Sequence, residues 1–153
     1  MDYQFKVSES IAWPTLAVRT RTAVARLPQV LGQTYDAIYQ YMQEIGERPI
    51  EAAYAAYHNM DMSDLEVEIG FVAAKPLPGR GKIIGSEIPG GKRASVMYKG
   101  PYNQMESVYQ AFNDWMAANH HTPTGVVYEL YYNDPSQVPE SELLTRIVFP
   151  LKA

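Results

Sequence analysis

The sequence predicts an α+β fold. Two strand-helix-strand-strand units contribute to one mostly antiparallel, curved sheet, with two helices on one face and a ligand groove on the other. Three observations predict it. A block of sequence recurs at a fixed separation. Within each copy the apolar period switches between two and three-to-four. A turn-rich connector separates the copies.

The recurrence is seen by setting Tyr35-Asp36-Ala37-Ile38 beside Tyr109-Gln110-Ala111-Phe112, a step of 74 residues from Tyr35 to Tyr109. The same step carries Pro49 to Pro123, Tyr54 to Tyr128, Tyr57 to Tyr131 and Asn59 to Asn133. Farther on, Ile69-Gly70-Phe71 meets Ile147-Val148-Phe149 at a step of 78, so the second copy carries a loop four residues longer. The units run from about 12 to 75 and from about 83 to 152 of one domain spanning 1–153.

In the first unit, Leu16 to Val24 alternate loosely and are rich in β-branched residues, the habit of a strand. Leu31, Tyr35, Ile38, Met42 and Ile45 then form an apolar helical stripe. Pro28 suits the first turn of that helix and Gly46 its end. Ala52 to His58 and Leu65 to Ala73 read as two strands. The connector Pro76-Leu77-Pro78-Gly79-Arg80-Gly81 is followed by a short extra strand at Ile83 to Ile88 and a turn at Pro89-Gly90-Gly91. The order then repeats. Arg93 to Tyr98 is a strand, and Met105, Val108, Phe112, Trp115 and Met116 mark a helix after Gly100-Pro101. Val126 to Tyr132 and Leu143 to Phe149 are the strand pair.

Composition narrows the function. The chain has 153 residues, 46% hydrophobic and 20% charged, the profile of a globular domain. It has no cysteine, which excludes disulfides, thiolate metal sites and a cysteine nucleophile. The net charge is −4 and the basic residues are scattered, so direct nucleic-acid binding is not expected. No apolar run approaches a membrane span, and Met1-Asp2-Tyr3 does not open a signal peptide, so a cytoplasmic location is expected. The 12 tyrosines against 4 phenylalanines suit a pocket whose walls are apolar and whose hydroxyls seek partners.

Alternation assigns the candidate site. Leu65, Val67, Ile69 and Phe71 are expected beneath the helices, which turns Glu66, Glu68 and Gly70 to the other face. For the strand at 126–132, an unpaired carboxylate under two helices would cost several kcal/mol. Glu129 is therefore expected on the groove face with Val127 and Tyr131, and by the repeat with Ala55 and Tyr57. Ala55 opposite Glu129 leaves room for a guest. Glu68, Trp13 and Met97 complete the expected ligand-binding set. A carboxylate amid aromatics can complement a cation, or can hold a raised pKa and move protons. If the chain is an enzyme, Glu129 is the catalytic residue.

Other features carry less. His120-His121 point in different directions and have no third ligand nearby, so they read as a helix end rather than a metal site. Gly79-Arg80-Gly81 and Gly90-Gly91-Lys92 lack phosphate-loop spacing, no Gly-x-Ser-x-Gly elbow occurs, and Glu51 reads as solvated surface. No metal or other cofactor is expected.

Several segments, taken in order, carry a resemblance. They are Tyr57-His58-Asn59-Met60-Asp61, Val67-Glu68-Ile69-Gly70-Phe71, Ile88-Pro89-Gly90-Gly91-Lys92-Arg93-Ala94, Lys99-Gly100-Pro101-Tyr102, Tyr128-Glu129-Leu130-Tyr131-Tyr132-Asn133-Asp134-Pro135 and Leu144-Thr145-Arg146-Ile147-Val148-Phe149-Pro150. Together they resemble the gyrase-inhibitor-like family, the effector-binding domain of AraC-type and MerR-type bacterial regulators. Val72-Ala73 departs from that family's Pro-Val. The resemblance implies a small organic ligand held in a central groove, with cationic lipophilic compounds received at the position of Glu129. It also implies two alternatives: hydrolysis of cyclopropane-bearing natural products, and a protein partner such as gyrase or a second copy of the chain.

Overall fold

A computed structural model describes residues 3–50 and 52–152. The expectations at Met1, Asp2 and Glu51 lie outside them. Among the described residues eight strands and two α-helices are seen: β1 (Lys6–Ser10), β2 (Trp13–Thr22), α1 (Leu27–Glu44), β3 (Ala53–Tyr57), β4 (Leu65–Val72), β5 (Ile84–Ile88), β6 (Gly91–Lys99), α2 (Glu106–Ala118), β7 (Val127–Tyr131) and β8 (Leu144–Pro150). The strands form one curled sheet in the order β1-β6-β8-β7-β3-β4-β2-β5, and each paired neighbour runs antiparallel. The expected α+β class is the observed one.

The sheet order has the symmetry of the repeat. Reading outward from the centre, β3-β4-β2-β5 mirrors β7-β8-β6-β1. β5 follows the connector in sequence yet pairs with β2 of the first unit, and β1 pairs with β6 of the second. Each unit is thus completed by an edge strand from outside its own stretch. β1 was not legible in the sequence, because Lys6-Val7-Ser8-Glu9-Ser10 carries a single apolar residue and its pairing supplies its order.

Local chemistry accounts for the helices. In α1, Pro28 occupies the first turn, where its missing N–H costs nothing. Ile38, Tyr41 and Met42 are buried, and Gly46 at φ +74° provides the left-handed residue that ends the helix. α2 buries Val108, Phe112 and Met116, and His120 at φ +59° plays the corresponding role beyond its end. The His121 ring lies 5.4 Å from that of Trp115. α1 packs over β4 and β2, and α2 over β6, so each helix covers the outer strands of its own half. The central β3–β7 seam runs between them. Both sheet faces have apolar cores. Ile69, Val67, Ile147 and Phe112 lie on the helix side, while Tyr54, Tyr128, Leu130 and Val148 lie on the other.

The register overturns one expectation. Ala55 pairs with Ile69 on one side and with Glu129 on the other. Directly paired residues share a face, so Glu129, Val127, Tyr131, Ala55 and Tyr57 lie on the helix face, with Ile69 and Val67. The other phase of β7, Tyr128 and Leu130, lies on the face without helices, together with Glu68. The desolvation argument that turned Glu129 away from the helices took both helices to cover the middle of the sheet. They stand apart over the outer strands, and tyrosine hydroxyls meet the carboxylate in the gap.

Candidate functional site

The seam between the helices is a floor of two central strands walled by tyrosines. β3 contributes Ala55 and Tyr57, and β7 contributes Glu129 and Tyr131. α1 sends in Tyr35, α2 sends in Tyr109, and the turn before α2 sends in Tyr102. The Tyr109 hydroxyl donates to Glu129 Oε2, and the Tyr131 hydroxyl donates to Oε1 at 2.7 Å. The Tyr35 hydroxyl donates to the Tyr54 carbonyl at 2.9 Å, tying α1 to the seam. The Tyr102 ring meets that of Tyr131 edge-on, with centroids 5.7 Å apart.

Burial sets the electrostatics. Desolvation pushes the Glu129 pKa up, and the two phenol donors only partly oppose it. The hydroxyls of Tyr57, Tyr109 and Tyr131 are held well above their ordinary pKa, first by burial and then by the Glu129 charge, so they stay protonated donors. Among the described residues no lysine, arginine or histidine pairs with Glu129. Nevertheless Glu129, Tyr57, Tyr131, Tyr35 and Tyr109 keep partial solvent access, whereas Ala55, Ile69 and Ile147 beside them have none. The carboxylate sits deep between the helices, uncompensated by a cation, in a residue that keeps partial solvent access.

Of the expected ligand-binding set, the structure brings together Glu129, Tyr131, Tyr57 and Ala55. It does not bring Glu68, Trp13 or Met97 to them, because all three lie on the opposite sheet face. There Glu68 is 4% exposed. It accepts from the Tyr54 hydroxyl at 2.5 Å and from Ser86 Oγ at 3.4 Å, and His58 Nε2 approaches it at 3.9 Å. Burial, followed by the Arg19 charge, lowers the His58 pKa. Glu66 forms the open-face ion pairs expected for such a residue, with Arg19 at 2.7 Å and Arg21 at 3.1 Å. The sequence reading missed Tyr35, Tyr109 and Tyr102 as site residues. The signal for the first two was present, since Tyr35 and Tyr109 are repeat equivalents on the two helices. Only the placement of the helices shows that both hydroxyls enter the seam.

A family model described as a GyrI-like small molecule binding domain matches residues 4–152. Among solved structures, the C-terminal domain of EcmrR superposes with a TM-score of 0.82 at 22% identity, covering 99% of each chain. In the EcmrR–DNA complex the match covers 98% of this chain and 57% of that one, with a TM-score of 0.83 at 20% identity. This chain therefore spans little more than half of that protein. SAV2435, solved bound to tetraphenylphosphonium, gives 0.65 at 11% identity over 100% of this chain and 95% of that one. A hydrolase from Listeria innocua gives 0.68 at 11% identity over 97% and 92%.

Proposed function

We propose, from the premise that this chain belongs to the GyrI-like small-molecule-binding family, that it binds lipophilic organic cations in the inter-helix cleft, with Glu129 as the counter-charge. One observation carries the reading: a buried carboxylate between the helices, with tyrosines around it and, among the described residues, no cation of its own. Such a group is costly to ionise in the empty protein. A guest that brings a positive charge and an apolar body relieves that cost, and the phenol rings offer their faces to it. The tetraphenylphosphonium complex of SAV2435 supports the choice of ligand class. The reading goes with a cytoplasmic protein that contacts neither nucleic acid nor membrane itself and meets a DNA-binding or other protein partner, or a second copy, elsewhere on its surface.

The test is calorimetric titration of the chain with tetraphenylphosphonium and with a neutral analogue, tetraphenylmethane carrying a solubilising ether. Saturable binding of the cation, lost on Glu129→Gln with the fold intact, is expected. Equal affinity for the cation and the neutral analogue would overturn it. The hydrolase reading has one point in its favour: a carboxylate with a raised pKa is placed to take a proton from water at neutral pH. Both carboxylate oxygens already accept phenol hydrogens, which suits holding a charge more than activating water. Turnover of a cyclopropane-bearing electrophile that Glu129→Gln abolishes would reverse that preference.

A further inference from the structure

On the sheet face away from the helices, two adjoining hollows of about 490 and 170 Å³ share Ser95 and Arg146 in their walls. The larger is also lined by Lys6 and Met97, and the smaller by Ser8, Trp13 and Arg93. Together they form a trough in the size range of small-molecule sites. In a chain of net charge −4, three of the four charged side chains around it are basic; the fourth is Glu9.

The two arginines are unusual. Arg93 is only 6% exposed. Its guanidinium lies over the Trp13 ring, 5.1 Å from the centroid, and donates to the Pro89 carbonyl at 2.8 Å. Arg146 lies over the Tyr132 ring at 5.8 Å. Among the described residues neither forms an ion pair with a carboxylate. Burial lowers the Arg93 pKa and the neighbouring Arg146 charge lowers it further, so the two cations oppose each other in a partly dry site. Buried charges are ordinarily paired. Ser8 and Ser95, beside them, add hydroxyls.

The repeat sharpens the contrast. Glu68 and Arg146 are equivalents at the same step of 78 that relates Ile69 to Ile147, and both point to this face. In the first half the carboxylate is satisfied by Tyr54 and Ser86. In the second half the equivalent position carries a guanidinium that, among the described residues, forms no ion pair with a carboxylate.

We propose that this trough is a second binding site, separate from the Glu129 cleft, for a planar aromatic carboxylate. Arg146 and Arg93 hold the carboxylate, with Ser95 beside them, and Met97 and Trp13 flank the ring. A guanidinium fork matches a carboxylate in two parallel hydrogen bonds, and an anion removes the repulsion between the arginines.

The experiment is calorimetric titration of the chain with 1-naphthoate, using neutral 1-naphthamide as the isosteric control. Saturable naphthoate binding is expected, at least about 10-fold tighter than naphthamide. It should weaken at least about 10-fold in Arg146→Gln, only partly in Arg146→Lys, and not at all in Glu129→Gln. Arg146 keeps solvent access, and thermal unfolding checks that its variants fold. Three results would overturn the proposal: no saturable naphthoate binding, equal binding of naphthamide, or binding that survives Arg146→Gln and is lost in Glu129→Gln. The last would move the ligand to the other face while leaving the cation site to its own test.

Discussion

Ala55 and Glu129 are repeat equivalents of one another and also direct cross-strand partners on β3 and β7. The pseudo-twofold axis of the domain therefore passes between them. A symmetric duplication would put identical side chains on either side of the axis. Here one side holds a methyl group and the other a carboxylate, so the centre of the sheet has a single charge.

That asymmetry is open to test. Ala55→Leu adds three carbons where Ala55 is fully buried against Ile69 and Glu129. We expect overpacking to cost about 1–3 kcal/mol in urea unfolding, together with loss of tetraphenylphosphonium binding by at least about 10-fold in calorimetry. Retained affinity would place the guest away from the floor.

Glu129 should make stability depend on pH. Its folded pKa is raised by burial. A raised folded value means that the fold favours the protonated form. That contribution is fully present below the unfolded carboxylate value of about 4.3 and is lost as pH rises through the folded value. Glu129→Gln removes the dependence. The difference in unfolding free energy between variant and wild type should therefore grow in the variant's favour from pH 4 to pH 8. A difference that is flat with pH would contradict the raised pKa.

Binding should depend on pH in the opposite sense. A cation prefers the ionised carboxylate, so a proton must leave as the guest enters. Tetraphenylphosphonium affinity is expected to rise with pH through the Glu129 range. Calorimetry in buffers of different ionisation heat should report net proton release below that range's upper end.

The two helix tyrosines should behave differently despite their equivalence. Tyr109→Phe removes a donor to Glu129, which lets burial push that pKa still higher and shifts cation binding to higher pH. Tyr35→Phe removes a donor to the Tyr54 carbonyl, a group that also sits in the β3–β4 ladder. It should cost about 0.5–1.5 kcal/mol of stability and leave the pH midpoint of binding where it was. NMR titration of the Glu129 side chain distinguishes the two.

Gly70 tests the packing of the sheet itself. A Cβ there would lie 2.2 Å from the Leu16 carbonyl oxygen and 2.9 Å from Ala17 Cα, both fixed by the β2–β4 ladder. Gly70→Ala should lower stability by about 2–4 kcal/mol in chemical unfolding, with cation binding preserved where the chain remains folded.

The duplication, the order of elements apart from β1, and the equivalence of Ala55 with Glu129 were legible in the sequence by itself. The step of 74 residues and the change of period are local properties that need no partner strand. Pro28 and Gly46 likewise act through their own backbone restrictions. The face on which Glu129 lies was not legible. β7 is central and buried on both sides, so Val127 and Tyr131 in one phase look as apolar as Tyr128 and Leu130 in the other. Alternation says which residues share a face, and only the register with Ile69 says which face it is. The tertiary structure also decided that the helices stand over the outer strands. That placement opens the seam, admits Tyr35 and Tyr109 and gives the carboxylate its partners. It separates Glu129 from Glu68, which sequence spacing had placed together, because a sheet has two sides and a one-residue change of phase exchanges them.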